Sequence, residues 1–327
     1  MSLLFNETQQ TPIVIAHRGA SGYLPEHSLA AVAMAHAMDV DYIEQDVVLT
    51  SDGVPIVLHD VHIDTVTDVA TVFPSRARSD GRYFAIDFTL DELKELKLCE
   101  RIDFETGKAV YSRRFPVGKS SFRIPTLVEE IELIQGMNKS TGKSIGICVE
   151  IKSPAWHIEQ GQHVSETTLS VLRSYGYCAR ADSAIIECFD ATELRRIREQ
   201  LECDLKLVQL IGENSWQEAP CDFDELKTEQ GLQQIAEYAD GIAPWVHQVL
   251  DKNKKDTATN ANLVELAHKH RLPVYPYTFR ADNLPDYAET FEELLELSIK
   301  AKVDGVFTDF PDRAVGYFKS RNVNEKL

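Results

Sequence analysis

This chain of 327 residues is short of several features, and each shortage narrows what it can do. It holds no apolar run near the roughly 20 residues that span a bilayer, so insertion into a membrane is not expected. Basic residues are outnumbered: 34 Lys and Arg stand against 52 Asp and Glu, a net charge of −18. A broad contact with nucleic-acid phosphates requires clustered cations, so nucleic acid is not an expected partner. The six cysteines, Cys99, Cys148, Cys178, Cys188, Cys203 and Cys221, show no Cys-x-x-Cys spacing. That pattern indicates neither a zinc knuckle nor a disulfide framework, and it reads as buried free thiols. Residues 1–10 are polar and lack the basic segment and apolar core of a signal peptide. As it stands the chain therefore reads as cytoplasmic, and as periplasmic if an export signal has been removed.

What is present is an ordinary soluble composition, 43% hydrophobic and 26% charged. The length suits two average domains or one α/β barrel with an insertion. Two stretches organise the rest. Ile13-Val14-Ile15-Ala16-His17-Arg18-Gly19 is a short apolar run that ends in two cationic side chains and a glycine, which predicts a buried strand delivering His17 and Arg18 to its carboxyl end. In Tyr42-Ile43-Glu44-Gln45-Asp46-Val47-Val48-Leu49, Glu44 and Asp46 lie two apart, so a strand puts both carboxylates on one face, where they want a cation. Thr50-Ser51-Asp52-Gly53 signals a tight turn, and Val54-Pro55-Ile56-Val57-Leu58-His59 returns from it. A turn centred on Ser51-Asp52 sets His59 opposite Glu44, and one centred on Asp52-Gly53 sets it opposite Asp46. Either register puts an imidazole about 5 Å, Cβ to Cβ, from a carboxylate.

Further along, Pro25-Glu26-His27-Ser28 leads into an alanine-rich helix over 29–38. Residues 61–122 break the rhythm. Arg76, Arg78 and Arg82 cluster there, and one clear helix over 90–98 opens with the capping box Thr89…Glu92. This stretch reads as a small inserted subdomain whose basic residues form a solvated loop or meet an anionic substrate. A second capping box, Thr126…Glu129, opens a helix to about Met137, and the strand that starts at Ile145 ends in the same-face pair Glu150 and Lys152. Parallel strand candidates start near residues 13, 42, 145, 184, 206, 241, 273 and 305. Eight β-α units predict a TIM (β/α)₈ barrel over residues 11–320, with the insertion at 61–122 after the second strand's hairpin and catalytic groups at the carboxyl ends of strands.

Taken together, His17-Arg18-Gly19, Glu44-x-Asp46, His59-Asp60 and Glu150-Ile151-Lys152 resemble the glycerophosphodiester phosphodiesterases, from Ile13 to about Phe318. The runs from Ala16 to His27, Asp87 to Glu92, Tyr275 to Thr278 and Phe307 to Asp312 are most similar to the bacterial periplasmic-type enzymes. The resemblance implies a TIM barrel, a divalent cation bound by Glu44, Asp46 and Glu150, an acid/base pair of His17 and His59, and Arg18 and Lys152 facing the phosphate. A ligand set of carboxylates without thiols favours Ca²⁺ or Mg²⁺ over zinc. Phe189, Trp245, Tyr277 and Phe279 follow or end strands, where they line an apolar wall for glycerol carbons or pack the barrel. The implied substrates are small glycerophosphodiesters such as glycerophosphocholine and glycerophosphoethanolamine, yielding sn-glycerol 3-phosphate and the free alcohol. A homodimer is compatible with this reading.

Two alternatives stand beside this reading, one an enzyme of the same barrel type and one from another class. A phospholipase D-like or phosphatidylinositol-cleaving barrel needs an exposed apolar rim for a membrane. A catalytically silent barrel serving as a binding module has no need of His17, His59, Glu44, Asp46 and Glu150 together.

Overall fold

The computed structural model describes residues 11–250 and 263–324; the signal-peptide reading of residues 1–10 lies outside them. Eight strands are present among the described residues: β1 (Ile13–Ala16), β2 (Tyr42–Leu49), β3 (Pro55–Val57), β4 (Gly146–Ile151), β5 (Ala184–Cys188), β6 (Lys206–Ile211), β7 (Gly241–Pro244) and β8 (Gly305–Thr308). Their near-continuous apolar runs suit parallel strands covered on both faces, and almost every residue in them is buried. The order is β7-β6-β5-β4-β2-β1-β8, with β3 antiparallel on β2.

Side chains of one parity, Ile15, Cys148, Ile185, Val208, Leu210, Ala243, Tyr275 and Phe307, form a compact cluster that fills the inside of the barrel. The opposite parity, including Val14, Ile43, Val47, Val149, Ile186 and Leu207, packs outward in the larger cluster with the helices. No helix among the described residues is long and apolar enough to cross a membrane.

The barrel closes between β7 and β8, but not through a regular eighth parallel strand. Residues 273–279 bridge the gap: Tyr275 N–H donates to Ile242 O at 2.9 Å, Tyr277 N–H to Pro244 O at 3.1 Å, and on the other side Phe307 N–H donates to Pro276 O at 3.1 Å and Phe279 N–H to Phe307 O at 2.8 Å. The strand expected over Pro273-Val274-Tyr275-Pro276-Tyr277 is thereby reduced to isolated bridges at Val274, Tyr277 and Phe279. Pro273 and Pro276 have no N–H to give to a ladder, which explains the reduction. The architecture is the TIM barrel.

The β2–β3 hairpin also corrects an expectation. Val47 pairs with Val57, Val48 with Ile56 and Leu49 with Pro55, and Thr50 N–H donates to Val54 O at 3.1 Å. The turn is therefore three residues, Ser51-Asp52-Gly53, with Gly53 at φ +77°. One extra turn residue shifts every opposition by one and flips parity. Continued, this register would set His59 against Gln45, not Glu44 or Asp46; in fact β3 ends at Val57, and His59 is carried on the loop beyond.

Both capping boxes form. The first helix is Leu90–Glu95 and not 90–98, because Leu96 is extended and Leu98 N–H pairs with Phe122 O at 2.9 Å. The second, Leu127–Thr141, overruns its expected end and stops where Gly142 adopts φ 71°. Between β3 and that helix lie two short α-helices, Val69–Val72 and Leu90–Glu95, and a 3₁₀ turn, Ala85–Asp87. They sit over an apolar cluster that includes Ile63, Val66, Phe88, Leu93, Leu96 and Leu98 and also takes in Val48, Ile56 and Leu58 of the hairpin. Arg76, Arg78 and Arg82 in this stretch pair with Glu92, Asp87 and Asp64. All six cysteines are free thiols, but only Cys148, Cys188 and Cys203 are buried. Cys99 and Cys221 are half-buried and Cys178 is exposed at the surface, a correction to the buried reading.

Candidate active site

Parity and register assemble the site. Ile15 pairs with Tyr42, Glu44 with Cys148, Asp46 with Glu150, and Glu150 with Glu187. Aligned residues on parallel strands share a face, so Glu44, Asp46, Glu150 and Glu187 all turn into the barrel with Ile15. Glu44, Glu150 and Glu187 each bring an oxygen within 4.8 Å of the others, and His27, Glu44 and Asp46 form a second such group. Beside them is a cavity of about 260 Å³ lined by His17, Arg18, Glu44, His59, Glu150, Glu187, Arg280 and the aromatics Phe189, Trp216, Trp245 and Tyr277. Phe279 is instead fully buried in the packing between strands and helices.

The turn after β1 is tight: Arg18 has φ 60° and Gly19 φ 78°. A Cβ on Gly19 would lie 2.8 Å from the Ala31 carbonyl carbon, so only glycine fits. The turn aims the Arg18 N–H at Glu44 Oε2, 2.7 Å away. The guanidinium donates to Glu26 Oε2 at 3.1 Å, and its Nε lies 3.3 Å from Asp46 Oδ2. Lys152 Nζ donates to Glu150 Oε1 at 2.7 Å and lies 3.8 Å from Asp46 Oδ1.

Each of the two cavity histidines is held from behind. His17 Nδ1–H donates to Asp309 Oδ1 at 2.6 Å, and His59 Nδ1–H donates to Asp60 Oδ1 at 2.7 Å. A carboxylate only accepts, so the proton sits on Nδ1 and Nε2 is left for proton transfer. Asp309 is itself gripped by Arg114 and Arg280, and Asp60 by Arg101. His27 Nε2 meets Asp46 Oδ2 at 2.7 Å and fixes that carboxylate.

The electrostatics follow from burial and crowding. Burial, then Arg18, pushes His17 down to about 3, so it is neutral at rest. His59 is lowered by the same two causes in the same order. Burial first, then the neighbouring carboxylates, pushes Glu44 well up; burial likewise raises Glu150, against the pull of Lys152. Glu187 rises to about 8 through burial and then Asp46. Burial would raise Asp46 too, but His59, Lys152, His27 and Arg18 outweigh it and hold it well below the usual range. Four buried carboxylates this close need protons or a cation to offset their repulsion.

Sequence reasoning missed Glu187, Asp309, His27, Arg280 and Trp216. Glu187 carried a readable signal: like Glu150, it is an acidic residue near the end of an apolar strand. Asp309 similarly follows the apolar run of β8. Arg101 and Arg114 carried none, since their partners lie 41 and 195 residues away at Asp60 and Asp309.

Residues 17–313 match the family model described as the glycerophosphoryl diester phosphodiesterase family. A glycerophosphodiester phosphodiesterase of Haemophilus influenzae is 42% identical over 94% of this chain and 90% of its own, and one of Treponema pallidum is 35% identical over 93% and 91%. Among solved structures, a putative glycerophosphoryl diester phosphodiesterase of Silicibacter pomeroyi superposes with a TM-score of 0.72 at 24% identity, covering 95% of this chain and 94% of that one. A phosphodiesterase of Oleispira antarctica, solved with the product sn-glycerol-3-phosphate, gives 0.63 at 20% identity over 94% and 97%. These two likenesses bear on the fold; the family membership rests on the matched model and the two closer relatives. The chain belongs to the glycerophosphoryl diester phosphodiesterase family and is a glycerophosphodiester phosphodiesterase.

Proposed function

We propose that the enzyme hydrolyses deacylated glycerophospholipids such as glycerophosphocholine and glycerophosphoethanolamine to sn-glycerol 3-phosphate and the free alcohol, with His17 and His59 as acid and base. The observation that carries this reading is the pair of imidazoles in one cavity wall, each tethered through Nδ1 to a carboxylate, beside a buried acidic cluster. Glu44, Asp46 and Glu150 would hold a divalent cation, with Glu187 as a fourth candidate ligand. The fit is supported by Asp46 Oδ1 and Glu187 Oε2, which are buried without a hydrogen-bond partner among the described residues. An all-oxygen donor set suits Ca²⁺ or Mg²⁺. Such an ion, when bound, supplies charge neutralisation at the phosphoryl oxygens.

The remaining chemistry falls to the chain's own residues. Arg18 and Lys152 add positive charge for the anionic diester, and Phe189, Trp245 and Tyr277 give the glycerol carbons an apolar wall. The glycerol 2-hydroxyl sits one carbon from the ester oxygen, so its attack on phosphorus gains greatly in effective concentration over water. One imidazole takes the proton of that hydroxyl as the new O–P bond forms. The other protonates the departing alcohol oxygen as the old O–P bond breaks. Water then opens the cyclic phosphate with the two roles reversed. A resting neutral His17 suits the accepting role.

The test is a coupled assay that detects sn-glycerol 3-phosphate from a panel of glycerophosphodiesters, with and without chelator. Release that depends on the cation and varies little with head group is expected. Release unaffected by thorough chelation would remove the cation from the reading.

A further inference from the structure

We infer that Arg101 and Arg114, both from the 61–122 stretch, are positioning residues that set the two histidines through the carboxylates behind them. This inference rests on the reading of His17 and His59 as the acid/base pair. Arg114 Nη2 donates to Asp309 Oδ2 at 2.7 Å, and Asp309 Oδ1 receives His17 Nδ1–H at 2.6 Å. Arg114 also donates to Asp282 at 2.8 and 3.1 Å and to the Ser21 carbonyl at 3.3 Å, and its guanidinium lies 3.7 Å from the Tyr111 ring centroid. Arg101 Nη1 donates to Asp60 Oδ2 at 2.5 Å, and Asp60 Oδ1 receives His59 Nδ1–H at 2.7 Å. Its Nη2 and Nε donate to Glu26 at 2.5 and 3.2 Å.

Two chains of one construction, arginine to carboxylate to imidazole, thus start on a single stretch and end in the wall of one cavity. Neither arginine lines that cavity, and each guanidinium is engaged by carboxylates, Asp60 and Glu26 for Arg101 and Asp309 and Asp282 for Arg114. Their side chains are 17% and 4% exposed, too enclosed for a solvated loop. A guanidinium fork fixes a carboxylate in two directions at once, and the fixed carboxylate fixes tautomer and ring orientation. Small misplacement of a proton-transfer group is costly in rate. The two chains differ in one respect: Asp309 has a second clamp in Arg280 at 2.8 Å, whereas Arg101 is the one arginine ion-paired with Asp60 among the described residues. Loss of Arg101 therefore has the larger effect.

The experiment compares Arg101→Gln, Arg114→Gln, Arg101→Lys and Arg114→Lys with Arg82→Gln. Arg82 pairs with Asp64 in the same stretch and belongs to neither chain. Steady-state kinetics are read alongside the Nδ1–H resonances of His17 and His59 in ¹⁵N-histidine-labelled enzyme without substrate. Arg101→Gln is expected to lower kcat by about 10- to 100-fold with KM little changed and the His59 resonance lost, and Arg114→Gln by about 10-fold. The lysine variants fall in between, and Arg82→Gln matches wild type. If a glutamine variant does not fold, its lysine counterpart carries the comparison. Wild-type kcat with both resonances intact in the folded Arg101 and Arg114 variants would overturn the inference, provided His17→Ala and His59→Ala are inactive. Active His17→Ala or His59→Ala would instead overturn the acid/base reading beneath it.

Discussion

Glu100, the residue before Arg101, offers a quantitative test of the charges packed against the barrel mouth. It is 3% exposed, and its Oε2 has no hydrogen-bond partner among the described residues. Burial, then the charge of Glu26, pushes its carboxyl from 4.5 up to about 8. The folded state therefore keeps this proton to higher pH than the unfolded chain does, so stability falls as pH rises from 4.5 through about 8. At about 1.4 kcal/mol for each pH unit above the unfolded value, the cost at pH 7 is roughly 3 kcal/mol. Glutamine keeps the shape and cannot ionise. Glu100→Gln should therefore stabilise the protein by roughly that amount at pH 7, and hardly at all near pH 4.5. With 1 kcal/mol worth about 1.5 °C in a chain this long, Tm should rise by roughly 5 °C at pH 7. Thermal unfolding of both proteins at pH 5 and pH 7, followed by circular dichroism, reads the difference directly. An equal Tm difference at the two pH values, or a less stable variant at pH 7, would refute the assignment of Glu100 as an uncompensated buried acid.

The remaining predictions concern the chemistry. His17→Ala and His59→Ala should each lower kcat by about 10²- to 10⁴-fold while leaving the far-ultraviolet circular dichroism unchanged; near wild-type turnover in either one takes it out of the acid/base pair. Chelation should silence the enzyme, and added Ca²⁺ or Mg²⁺ should restore it. In calorimetric titrations Glu150→Gln should bind the ion at least about 10-fold more weakly. Glu187→Gln should also weaken binding, and unchanged affinity there would exclude Glu187 from the ligand set. A 2-deoxy analogue of the glycerol half should be turned over extremely slowly, whereas hydrolysis at the normal rate would favour direct attack by water.

Local pattern determined much of this molecule. A strand alternates its side chains with period two, so Glu44 with Asp46 and Glu150 with Lys152 were legible as same-face pairs wherever their strands lay. The capping boxes at Thr89 and Thr126 were legible for the same reason, because each motif closes within four residues. Eight β-α units suffice to announce a barrel, and a barrel gathers strand ends at one mouth. Where the reading failed, a small local choice had a long-range consequence. One extra turn residue displaced the opposition of His59 to the carboxylates, and two prolines reduced the strand near 273 to bridges. His59 reaches the cavity all the same, carried there by the loop after β3, which no parity argument describes. Only the tertiary structure decided that Glu187 joins the acidic cluster, since that depends on the register between β4 and β5. Likewise, only barrel closure and the packing of the 61–122 stretch bring Arg114 to Asp309 and Arg101 to Asp60. Side-chain parity is a property of neighbouring residues, whereas a contact across 195 residues is fixed by how the whole chain packs.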